Sequence, residues 1–100
     1  MKISDVIVKI LEAWSFEDVF MVTGGGSMHL NDSFGRSKKI NTIPLHHEQA
    51  CSMAADAYFR IKNKPAVVNV TTGPGGINAL NGVYGAYVDS IPMIIISGQV

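Results

Sequence analysis

Apolar residues follow a helical period in some stretches of this chain and run continuously in others, and the switches between them mark its elements. Val6, Ile7, Ile10, Leu11 and Trp14 recur at helical spacing and predict an amphipathic first helix from about Ser4 to Trp14. Ser4 is its expected N-cap, with Ile3 and Val8 as a hydrophobic staple. Val19-Phe20-Met21-Val22 predicts a short buried strand that runs into Thr23-Gly24-Gly25-Gly26. Ser27–Phe34 then reads as a short helix or turn, closed by Gly35 in a C-terminal capping position.

Ile40–Leu45 predicts a second strand, and Ala50–Arg60 a helix with Cys51, Ala54, Ala55 and Tyr58 on its buried side. Arg60, Lys62 and Lys64 crowd the end of that helix, as the macrodipole prefers, and Pro65 stops it. Ala66–Val70 has the β-branched character of a parallel strand covered on both faces. After the turn Thr71–Gly76, Ile77, Leu80, Val83, Tyr84, Tyr87 and Val88 recur at helical spacing, while Gly82, Gly85 and Ala86 leave another face bare for close packing. Asp89-Ser90 ends that helix, and Ile91–Ile96 predicts a fourth strand around Pro92. Alternating strands and helices imply right-handed crossovers. The expected fold class is therefore α/β: a parallel sheet of at least four strands with helices on both faces, in three layers. Four strands finishing at the C-terminal tip predict an incomplete domain, the first part of a larger unit.

Composition narrows the function classes. The chain has 100 residues, 47% of them hydrophobic and 16% charged, which is enough for one domain with a core and too apolar for disorder. Eight basic residues balance eight acidic ones, so no polyanion or nucleic-acid partner is expected. Cys51 is the only cysteine, which excludes an internal disulfide and fits a reducing compartment. No apolar run approaches the roughly 20 residues that span a bilayer, and Asp5, Lys9 and Glu12 break any leader-like run. A soluble, cytoplasmic protein is expected, without a membrane partner.

The candidate chemistry lies in the turns. In a parallel sheet all strand-to-helix junctions share one edge, so the triglycine turn Thr23–Gly26, the junction at Glu48 and the turn Thr72–Gly76 are expected to converge on one crevice. Three consecutive glycines are costly to order, which points to positive φ or to a backbone that something approaches closely. Glu48 follows a strand and opens a helix among the largely apolar Leu45, Ala50, Met53 and Ala54, a setting that suits a carboxyl to holding or passing a proton. Gly73-Pro74-Gly75-Gly76 before a helix suggests an anion on free N–H groups, yet neither nucleotide-binding glycine pattern is present. An acid in the crevice would repel a phosphate, so the residues favour a neutral or proton-sharing heterocycle against Glu48. No metal site is expected, because the adjacent His46, His47 and Glu48 cannot easily converge on one ion. Cys51 is expected in the core, and His29 has no assigned role.

Four segments carry a resemblance: Asp18-Val19-Phe20 with Gly24-Gly25; His47-Glu48-Gln49-Ala50; Val70 through Ala79; and Asp89–Met93 with Ser97–Val100. They are similar to thiamine-diphosphate enzymes of the acetolactate synthase-like family, in their N-terminal pyrimidine-binding domain. The resemblance implies that residues 1–100 are the N-terminal part of that domain and that the diphosphate-binding domain is absent. It implies that Glu48 is the catalytic glutamate, sharing a proton with N1′ of the cofactor's aminopyrimidine in a decarboxylase or carboligase acting on a 2-oxo acid such as pyruvate. Thr23, Thr72, Gly73, Pro74 and Asn78 would bind the cofactor with Glu48, and Gly25 and Gly26 would leave room for substrate.

Magnesium would be held by the diphosphate-binding domain of another chain, in a homodimer or homotetramer, and FAD is compatible but not indicated. The isolated 100 residues would then be inactive. Thr23 and Gly26 stand where acetolactate synthases usually carry proline and alanine, which shifts the likeness toward carboligase-type relatives of sugar or polysaccharide pathways. Two alternatives stay open: a separate pyrimidine-binding subunit of a two-subunit decarboxylase, and a non-catalytic oligomerisation module.

Overall fold

A computed structural model describes every residue from Met1 to Val100. Its elements are helix α1 (Ile3–Ala13), strand β1 (Asp18–Met21), helix α2 (Met28–Arg36), strand β2 (Asn41–Pro44), helix α3 (Glu48–Lys62), strand β3 (Val67–Val70), helix α4 (Pro74–Val88) and strand β4 (Ile94–Ser97). A 3-10 turn, Gly25–Ser27, leads into α2. All four strands are parallel, in the order β2-β1-β3-β4. The chain thus moves outward from β1 to β2, then crosses back over β1 to β3. That reversal opens a crevice beyond the carboxyl ends of β1 and β3, and the two glycine turns are the segments that leave those ends.

Successive residues of each strand face opposite layers. Val19, Met21 and Val67 pack with Val8 and Leu11 of α1 and Phe34 of α2. Phe20, Val68 and Val70 pack with Cys51 and Ala55 of α3 and Ala79 of α4. The expected three-layer α/β/α arrangement is the observed one. No helix is long and apolar enough to cross a membrane.

Several ends differ from expectation, each for a local reason. α1 is capped two residues earlier: Lys2 is its N-cap and the Lys2 backbone N–H donates to Asp5 Oδ2 at 3.0 Å. Ser4 is instead buried inside the helix, accepting a hydrogen bond from Ser33 Oγ, and Ile3 is exposed, so no staple forms. Gly35 does not cap α2, which continues to Arg36 before an extended Ser37. α3 begins at Glu48 rather than Ala50. It ends at a left-handed Asn63 (φ 54°) whose N–H donates to the Phe59 carbonyl, so it terminates before Pro65 acts. Pro92 stays outside β4, because a strand interior needs the N–H that proline lacks.

Helix α4 meets α3 through its small residues. Gly75, Ala79, Gly82 and Ala86 are buried, and a Cβ on Gly82 would lie 2.2 Å from Ser52 Oγ and 2.8 Å from the Met53 nitrogen. The bare face is the packed one, as expected, and the large residues Ile77, Leu80, Tyr84, Tyr87 and Val88 are left exposed.

Candidate active site

Glu48 is the first residue of α3, where the macrodipole favours a carboxylate. The strand β2 delivers the chain to this edge, and His47 caps the helix by accepting a hydrogen bond from the Gln49 N–H on Nδ1 at 3.0 Å. Capping gives His47 a structural task. Glu48 is half-buried, and its Oε1 accepts a hydrogen bond from Asn78 Nδ2 of α4 at 3.2 Å. Oε2 faces the bare Cα of Gly75, where an added Cβ would sit 3.7 Å away. The close approach of α3 to α4 at Gly82 is therefore what brings the acid and the amide into contact.

The expected convergence of the glycine turns is real, but positive φ explains only one of their glycines. Gly73 has φ 60° and ψ −116° at the start of α4, a conformation that excludes residues with a Cβ. Pro74 follows as the first helical residue, where its missing N–H costs nothing. Gly24, Gly25 and Gly26 all lie outside the positive-φ region. Gly24 is required by contact instead: a Cβ there would fall 2.6 Å from Thr71 Cβ. Gly26 would meet Thr72 Cγ2 at 2.8 Å, and Gly75 would meet Thr71 Cγ2 at 2.8 Å. Of the glycines in the two turns, only Gly25 and Gly73 have nothing within 4 Å of the missing Cβ, so these two face open space. Thr23 is exposed at the end of β1, on the same edge.

Thr71 is the residue that sequence reasoning left out. Its side chain is wedged between Gly24, Gly26 and Gly75 and locks the two turns together. The end of β4 was missed as well. Gly98 lies against the Gly26 carbonyl so closely that a Cβ would stand 2.2 Å from it, and Ser97 Oγ donates to the Thr71 carbonyl at 3.1 Å. Together with Gly25, Gly26 and His29, the segment Ser97–Val100 lines a cavity of about 330 Å³. The signal was available, since the end of any fourth parallel strand must share this edge. Asn78 and Thr72, both expected to bind the cofactor, lie respectively against Glu48 and against Gly26 of the triglycine turn.

Cys51, one turn into α3, has its thiol pushed up to about 11, by burial first and by the Glu48 charge second. It stays protonated and inert at neutral pH. No three metal-ligating side chains gather anywhere in the chain. What the arrangement offers is one carboxylate with a tethered oxygen and a free one, beside an amide and two open glycine positions.

The family described as thiamine pyrophosphate enzyme, N-terminal TPP binding domain, matches residues 1–100. The chain is 38% identical over 97 residues to a chloroplastic acetolactate synthase of Arabidopsis thaliana, covering 97% of this chain and 14% of that protein. It is 40% identical over 97 residues to the acetolactate synthase large subunit of Buchnera aphidicola subsp. Acyrthosiphon pisum, covering 97% of this chain and 17% of that one. A chloroplastic acetolactate synthase of Nicotiana tabacum is also 40% identical, with 97% and 15% covered. The chain thus spans about a sixth of the length of the curated relatives it matches.

Proposed function

This chain belongs to the thiamine pyrophosphate enzymes, as the N-terminal TPP-binding domain of the acetolactate synthase-like type, and from that premise we propose that it is the pyrimidine-binding part of a 2-oxo-acid decarboxylase or carboligase in which Glu48 handles the proton. The residues present fit such a group. The Glu48 carboxylate has one oxygen held by Asn78 and the other turned toward a position that only glycine leaves clear. A planar heterocycle can approach the backbone where Gly25 and Gly73 have open space. When bound, thiamine diphosphate supplies the reactive carbon and the electron sink for decarboxylation.

The chain's own residues would hold and steer. Asn78 fixes the carboxylate so that Oε2 alone is free to share a proton with the ring nitrogen N1′. Thr72, Gly73 and Pro74 form the wall on the α4 side, and Thr23 the rim on the β1 side. Gly25 leaves room for a 2-oxo acid such as pyruvate, the substrate that acetolactate synthase relatives suggest, whereas the space beside Gly26 is already filled by Thr71 and Thr72. The diphosphate and its magnesium ion would be held by another domain, since these residues gather no metal-ligating cluster.

The exposed apolar stripe of α4, Leu80, Val83, Tyr84 and Tyr87, supports a subunit or domain partner covering that face, in a homodimer or homotetramer. A cytoplasmic location is part of the same reading.

The observation that carries the reading is the Glu48–Asn78 contact at 3.2 Å beside the glycine turn. Glu48→Gln in the full-length protein keeps the shape and the hydrogen bond to Asn78 while removing the exchangeable proton. Turnover of pyruvate with thiamine diphosphate and magnesium is expected to drop by about 10²–10⁴-fold. Turnover like that of the unaltered protein would overturn the assignment of Glu48.

A further inference from the structure

Strand β3 is buried along its whole length, and its sequence is Val-Val-Asn-Val. The exception, Asn69, is 0% exposed and shares the α1/α2 side of the sheet with Val67. An amide buried there gives up its water and recovers only what its neighbours offer. Asn69 Nδ2 donates to Asn31 Oδ1 of α2 at 2.8 Å, and Asn69 Oδ1 has no partner. A valine at this position would complete the apolar run with a residue that strands prefer. Packing alone therefore gives no reason for the amide.

The reason lies one step further along the hydrogen bonds. Asn31 Nδ2 donates to the Gly24 carbonyl at 3.4 Å, which also accepts from the Ser27 N–H at 3.1 Å and from Ser27 Oγ at 3.2 Å. With the Asn31 amide turned over, its Oδ1 accepts from the Gly24 N–H and its Nδ2 donates to the Ser27 carbonyl, each at 3.3 Å. Asn31 grips the triglycine turn in both forms, and Asn69 holds Asn31 through its Nδ2 in the first and, with its own amide turned as well, through its oxygen in the second. On its other side the same turn rests against Thr71 and Gly98. Gly25, the turn's one glycine with open space, is thus placed by groups that never reach the crevice.

We propose that Asn69 and Asn31 are positioning residues, a strut of two amides that fixes the Gly24–Gly26 turn on β3 and so sets Gly25 relative to Thr71 and Glu48. The effect on turnover rests on the proposed function; the effect on the backbone does not.

The test uses the full-length protein carrying Asn69→Val, and separately the double variant Asn31→Leu with Asn69→Val, which replaces both amides by apolar groups and leaves neither unpaired. Hydrogen exchange at the Ser27 amide is expected to quicken about tenfold or more while the melting temperature holds or rises. With thiamine diphosphate and pyruvate, kcat is expected to fall about tenfold or more while cofactor affinity stays within about threefold. Unchanged exchange and unchanged kcat in both variants would overturn the strut. So would a lowered melting temperature with exchange quickened evenly through the chain, which marks a merely structural role. Should Asn69→Val fail to fold, the double variant decides. An unaltered protein without turnover sinks the proposed function instead, and the exchange measurement then decides the strut alone.

Discussion

The two helical layers of this molecule solve the same packing problem in opposite ways. On the α1/α2 side large side chains, Val8, Leu11 and Phe34, fill the space over the sheet, and the outside is tied by charges. Asp5 accepts from Ser33 Oγ at 2.6 Å and from Arg36 at 2.7 Å, while Asp32 pairs with Lys2 and Arg36. On the α3/α4 side the core is built from Cys51, Ala55 and Ala79, and Gly82 lets one helix backbone ride on the other. The large residues of α4 point away from this layer into solvent. The filled layer covers the sheet with large side chains, although Ile3, Ile10 and Trp14 of α1 remain exposed. The close-packed one sets Glu48 against Asn78, and it leaves the large apolar residues of α4 exposed.

Three experiments sharpen that contrast, from the largest expected effect to the smallest. Phe34→Ala empties the centre of the filled layer, and a loss of about 3–5 kcal/mol is expected in denaturant unfolding. Gly82→Ala overfills the other, because its Cβ meets backbone that cannot rotate away. A loss of about 1–3 kcal/mol is expected, together with loss of the Glu48–Asn78 hydrogen bond as the helices separate. Unchanged stability of Gly82→Ala would mean that the layer is looser than its geometry says.

The smallest effects are in pH. Asp5 is held down to about 2 from an ordinary 3.8, by Ser33 first, then the Lys2 N–H and Arg36. Its contribution is present above about 3.8 and is lost as pH falls toward 2. Cys51 is raised to about 11 from 9.0, so its contribution is present below 9.0 and lost as pH rises toward 11. Tyr58, also on α3, is raised by burial and by its hydrogen bond to Asp18, and acts in the same direction. Melting temperatures across pH should show Asp5→Asn flattening the acid limb and Cys51→Ala flattening the alkaline one. Each variant should leave the other limb in place.

Much of the site could be read in the residues, and the misses are informative. Glu48 and the turn Thr72–Gly76 were legible as neighbours because a parallel sheet sends every strand-to-helix turn to one edge, while Asn78 was suggested only by the family resemblance. Gly24 and Gly26 were recognised as constrained, but positive φ and close contact look alike in sequence. Only the coordinates reveal that Thr71 presses on both. The cap at Lys2 and the left-handed Asn63 were hidden because each has a stronger-looking competitor nearby, Ser4 and Pro65.

The sequence by itself determined the alternation of strands and helices, the parallel sheet and the acid at a junction, because periodicity and glycine placement act through neighbours along the chain. The tertiary structure alone decided that Asn78 would meet Glu48, that Thr71 would bind two turns together, and that Asn69 would reach Gly24 through Asn31. Apart from the short step between Asn31 and Gly24, those contacts join residues 30 to 47 positions apart. Their distances depend on how closely α3 and α4 approach and on the order of the strands, which no local pattern encodes.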